Sequence, residues 1–160
     1  MLKLILVLTM YCGLTAALAV EPTARQQEVA EKGAMVMPFD IHNSIHVFQK
    51  LPDGGLQQLL AKDAKDQGLI SMIRRHLSME AGRFAKGDYS DPMKIHGMDM
   101  PGVRYLSGVK PGQISIVYRE LPDGAEIHYT GKDQTTVGAL HRWFDAQLSD
   151  HGADATGKQP

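Results

Sequence analysis

The strongest constraint on how this chain can fold is that it repeats itself. Val47-Phe48-Gln49-Lys50-Leu51-Pro52-Asp53-Gly54 returns as Val117-Tyr118-Arg119-Glu120-Leu121-Pro122-Asp123-Gly124. Lys62-Asp63 keeps its spacing to Lys132-Asp133. After a three-residue deletion, Gln67 aligns with Gln134, Ile70 with Val137, Ile73 with Leu140, Arg75 with Arg142 and Leu77 with Phe144. Each copy begins with Met-x-Met-Pro, at Met35 to Pro38 and at Met98 to Pro101. Matches that run in order with one small gap are the signature of a duplicated supersecondary unit.

Each copy reads as strand, tight turn, strand, helix. Pro-Asp-Gly between apolar runs is a turn with a mechanism: proline presets φ, aspartate bonds its own backbone, and glycine accepts positive φ. The flanking strands are expected over 45–51 with 56–61 and over 114–121 with 125–130. Leu69, Ile73, Leu77 and Phe84 share one helical face, as do Val137, Leu140, Phe144 and Leu148. The expected fold is therefore α+β, with two ββα repeats (35–87 and 98–152) joined as a four-stranded antiparallel sheet carrying two helices on one face. Two loosely associated ββα lobes are the alternative. Residues 20–34 are a polar leader, either a short helix or loose, and 153–160 read as a flexible tail.

Residues 1–19 have the form of a secretory signal: Lys3, an apolar run from Leu4, and Ala17-Leu18-Ala19 as an A-x-A site. The run is too short for a good membrane span. A periplasmic or secreted protein is expected, without stable membrane insertion after cleavage. The only cysteine, Cys12, falls inside the signal, so the mature chain offers no disulfide, thiol nucleophile or thiolate metal site. With 17 Lys and Arg against 18 Asp and Glu, the chain has no basic field for nucleic acid.

Ile95-His96-Gly97-Met98-Asp99-Met100-Pro101-Gly102 lies between the repeats and gathers an imidazole and two thioethers on a glycine-rich loop. Imidazole and thioether without thiolate suit copper. The predicted ligands are His96, Met98 and Met100, completed by His76, His42 or His46; His42 and His46, four apart, would share a strand face. Each has a plainer explanation, since His46 aligns with Ile116 and methionines often fill cores. His76 and Glu80, one helical turn apart, form a possible acid–base pair with Asp99 as a further carboxylate. His141 and Asp145 repeat the pattern on the second helix, but Trp143 takes the position equivalent to His76. His151 is placed at a helix end, where the dipole favours a cationic imidazole.

The runs Ile73-Arg74-Arg75-His76-Leu77, Gly87-Asp88-Tyr89-Ser90-Asp91-Pro92, Ile95 to Gly102 and Trp143 to Gly152 resemble a group of short exported proteobacterial proteins of unassigned function. Members sometimes carry the label aspartate carbamoyltransferase. The resemblance brings no site residues with it. The label is not supported: that enzyme is roughly twice this length and carries a Ser-Thr-Arg-Thr-Arg phosphate loop, which this sequence lacks. Signatures of serine hydrolases, P-loop enzymes, zincins and covalent haem are also lacking.

Three functions follow as expectations. The first is a soft-metal protein, most plausibly for copper. The second is a small enzyme or small-molecule binder using His76, Glu80 and Asp99 in a cleft between the repeats. The third is a non-catalytic interaction module with an exposed apolar patch.

Overall fold

The computed structural model describes residues 21–159, so the predicted signal peptide lies outside the described residues. Helix α1 (Ala24–Val36) comes first, followed by strands β1 (Ser44–Leu51) and β2 (Gly54–Ala61) and helix α2 (Gln67–Phe84). Two short helices, α3 (Ser90–His96) and α4 (Val103–Leu106), lead to β3 (Ile114–Leu121), β4 (Gly124–Gly131), α5 (Gln134–His151) and the two-residue β5 (Ala155–Thr156). The fold is α+β with two ββα units.

The expected four-stranded antiparallel sheet is corrected in one respect. The sheet has five strands in the order β3-β4-β2-β1-β5, and β5 runs parallel to β1. Its pairs are His46 with Ala155 and Val47 with Thr156. Two residues carry no periodicity from which to read a strand. The residue before them, Asp154, is tied to the first repeat, its carboxylate meeting His42 Nδ1 at 2.8 Å and Lys62 Nζ at 3.4 Å.

The duplication is visible in the central ladder. Gly54 pairs with Thr130 and Leu60 with Gly124, so the offset of 70 that aligns the copies exchanges one pair for the other (54 + 70 = 124; 130 − 70 = 60). The two hairpins are thus related by a pseudo-twofold axis between β2 and β4. The turn glycines serve this symmetry. Neither has positive φ; a Cβ on Gly54 would lie 2.0 Å from the Tyr129 carbonyl oxygen, and one on Gly124 would lie 2.0 Å from that of Leu59. Gly54→Ala and Gly124→Ala are each expected to cost about 2 kcal/mol in urea unfolding, because the neighbouring strand must move. Equal stability of both variants with the parent would show that the ladder is looser than this contact requires.

Both long helices begin at an aspartate cap: Asp66 accepts from Leu69 N–H at 2.9 Å and Asp133 from Thr136 N–H at 2.8 Å. They lie on the same face of the sheet. Phe144 of α5 packs on Phe48 with ring centroids 5.4 Å apart, and Tyr118 donates to the carbonyl of Arg74 on α2. Trp143, Phe84, Tyr89 and Tyr129 fill the core between these layers with edge-on and stacked contacts. Among the described residues, no helix is long and apolar enough to cross a membrane.

Candidate functional site

A small cavity of about 50 Å³ lies between α2 and α5, walled in part by α1 and α3 and floored by β1. Its walls preserve the duplication. His76, Glu80 and Phe84 line it from α2; adding the helix offset of 67 gives Trp143, Gln147 and His151, which line it from α5. The site therefore lies in the cleft between the repeats. Room for a few water-sized groups suits an ion or a very small molecule, because pockets for drug-sized ligands are several-fold larger.

Four histidines converge here from four elements: His46 on β1, His76 on α2, His96 at the end of α3 and His151 at the end of α5. The His151 ring links two of the others, with its centroid 5.0 Å from that of His46 and 5.1 Å from that of His96. His96 is oriented from behind, where its Nδ1 meets Asp150 Oδ2 at 2.8 Å. Burial raises the Asp150 carboxyl's affinity for a proton, but Arg25 and His96 outweigh it and hold the group below the usual carboxylate range. An ionised Asp150 makes Nδ1 the donor and leaves the Nε2 lone pair of His96 for a ligand.

The imidazoles are kept neutral. Burial lowers the pKa of His76 and His96 and drives that of His46 well below its ordinary 6.5. His151 falls to about 4, again through burial and then the neighbouring His96. The helix dipole expected to favour a cation at His151 is overridden by enclosure among His46, Phe48 and His96. Glu80 moves the other way, up to about 7, because it is desolvated beside Asp91. Asp91 stays ionised through Lys94 and Arg83 despite its own burial.

Three residues that line the cavity each carry a buried polar atom with no hydrogen-bond partner in the protein: His46 Nε2, Trp143 Nε1 and Gln147 Oε1. Each such group costs about 1–3 kcal/mol unless something satisfies it. They are three of the five such atoms among the described residues.

The sequence-predicted residues divide sharply. His46, His76, His96 and Glu80 are brought together. Met98 is 70% exposed, while Met100 is 4% exposed and packs in the hydrophobic core. The central loop thus contributes only its histidine, because Gly97 at φ 93° turns the chain and ends any alternation along it. Asp99 stands on the surface in an ion pair with Arg104. His42 is likewise exposed and bound to Asp154, and His141 donates to the Leu51 or Gly54 carbonyl at the β1–β2 turn. The thioether that does reach the cavity is Met37, from the first Met-x-Met-Pro.

His151, Gln147, Asp150 and Arg25 were missed as site residues. The repeat offset could have found the first two, since it carries Phe84 and Glu80 onto them. Among the described residues, no three His, Cys, Asp or Glu side chains are already placed to hold one metal ion. Two ring pairs, His46 with His151 and His96 with His151, stand at centroid separations of 5.0 and 5.1 Å, close to the roughly 5 Å between two imidazoles on one tetrahedral ion. Comparison with family models, curated proteins and solved structures finds no match for this chain.

Proposed function

We propose that the chain is an exported protein that binds one transition-metal ion in the inter-repeat cavity. The ligands are His46, His96 and His151, with His76 at the cavity wall. The observation that carries this reading is the convergence of four imidazoles on one small cavity, one of them with an unpartnered ring nitrogen. A neutral imidazole is the metal-binding form, so the protein has already met the desolvation cost that a metal would otherwise offset by displacing protons. Copper suits the donor set, because Met37 adds a thioether to imidazole and no thiolate is present. Export rests on the signal-like residues 1–19.

The test is titration of the purified protein with Cu(I), Cu(II) and Zn(II) in competition with chelators, beside His151→Phe, Met98→Leu and Met37→Leu variants of verified fold. One copper ion per chain is expected, at least tenfold weaker in His151→Phe and unchanged in Met98→Leu. Met37→Leu should weaken Cu(I) and spare Zn(II). Equal copper binding by His151→Phe and the parent would remove the cavity as the site.

A second reading has its own observation in Glu80, a cavity-lining carboxyl that changes protonation near neutrality. With His76 one turn away, it could exchange a proton with a small bound molecule. Absence of any metal binding by the parent protein would favour this reading.

A further inference from the structure

Helix α1 forms the outer wall of the cavity through Gly33 and Val36, followed by Met37. Yet it buries only Val29 and Gly33, too little apolar surface to hold it by packing alone. Its N-terminal end is tied down by polar contacts. Arg25 Nε donates to Asp150 Oδ1 at 3.1 Å, and Nη2 donates to Asp150 Oδ2 at 2.6 Å and to the His96 carbonyl at 2.7 Å. Gln26 Nε2 adds a bond to the Ser149 carbonyl at 3.1 Å. At its other end the helix gives way to extended backbone at Met37, which the following proline favours, and Phe39 then packs edge-on against His76. One end is thus continuous with the core, and the other is held chiefly by one guanidinium, with Gln26 beside it.

That guanidinium grips two groups belonging to the site: the carboxylate that orients His96 and the backbone carbonyl of His96 itself. We infer that Arg25 is a positioning residue for the cavity, fixing the His96 ring through Asp150 and latching α1 shut over the space in front of it. The inference rests on the reading of the cavity as the binding site. Released at Arg25, α1 swings about Met37–Pro38 and opens a route for the ligand. Latched, it encloses the ligand and presents His96 Nε2 to it. The planar fork is essential, because a lysine supplies one point charge and cannot hold both carboxylate oxygens and the carbonyl together.

Gly33 marks the space concerned. It is buried on the cavity wall, and a Cβ built there meets nothing within 4 Å. In a helix interior, alanine is otherwise preferred to glycine. Gly33→Leu would place its side chain in the room a ligand needs.

The experiment compares the parent with Arg25→Ala, Arg25→Lys and, as a control on the same helix, Lys32→Ala. Amide exchange over 24–36 reads the latch. Long-range 1H–15N spectra of the histidines read the His96 tautomer, which a merely structural role of Arg25 would leave unchanged. Cu(II) release to excess chelator reads closure. Arg25→Ala should speed exchange and release at least tenfold and shift part of the His96 population from Nδ1–H toward Nε2–H as Asp150 loses its anchor, Arg25→Lys should be intermediate, and Lys32→Ala should match the parent. Gly33→Leu should lose copper while α1 stays protected. Unchanged exchange and an unchanged tautomer in Arg25→Ala would overturn the inference. If the parent binds no copper, the proposed function fails on its own, and exchange and tautomer still decide the role of Arg25.

Discussion

Glu80→Gln is expected to stabilise the metal-free protein by up to about 3 kcal/mol at pH 8 and to leave it nearly unchanged at pH 4.5. The carboxyl is buried beside Asp91, and its pKa rises from the ordinary 4.5 to about 7. A group whose pKa is raised by folding holds its proton in the native state where the unfolded chain has released it. Its contribution is complete below pH 4.5 and declines as pH rises through 7. Glutamine keeps the shape and the acceptor facing Arg83 but never ionises, so it escapes the loss. The difference between the two proteins should therefore open across pH 4.5–7 and then level off. Urea unfolding at several pH values measures it. Parallel stability curves would mean that Glu80 ionises freely in the native state and that the cavity is wetter than its walls imply.

The sequence carried the fold further than it carried the site. The fold was legible because a duplication shows itself twice, once in the Leu-Pro-Asp-Gly turns and again in the helical periodicity. Those patterns placed both hairpins and both long helices. They could not show β5, because two residues carry no periodicity and the strand exists only through its pairing with β1 across the chain. For the site, single residues were judged by their neighbours in sequence, and that favoured the dense loop at His96, Met98 and Met100. Distance along the chain proved a poor guide there: Met98 entered solvent and Met100 the core. His46 and His151, 105 positions apart (151 − 46), lie with their rings 5.0 Å apart. The pseudo-twofold relation anticipates the helical half of that meeting, since Phe84 and His151 occupy equivalent positions and line one cleft; the strand residue His46 enters through the sheet beneath it.

His151→Phe should separate from the parent in the opposite direction, gaining on it as pH falls from 6.5 to 4. Phenylalanine is the residue that the first repeat places at the equivalent position, Phe84, and its ring can take up the stacking of His151 on Phe48. His151 has its pKa lowered from 6.5 to about 4 by burial and by His96. The unfolded chain therefore binds a proton in this interval that the native state excludes. The stability that neutral His151 contributes is complete above pH 6.5 and is lost as pH falls through 4, about 3 kcal/mol in all. His46, His76 and His96 are shifted in the same direction, so the metal-free parent should become acid-labile even though Glu80, alone, pulls the other way in that window. Comparing His151→Phe with the parent removes the background of the other groups and leaves the one imidazole together with its repulsion of His46 and His96. A difference independent of pH would show that His151 is already charged or solvated in the native state. A difference that grows toward pH 4 would instead mean that folding holds this ring deprotonated in advance, the condition under which its lone pair can meet a metal without first losing a proton.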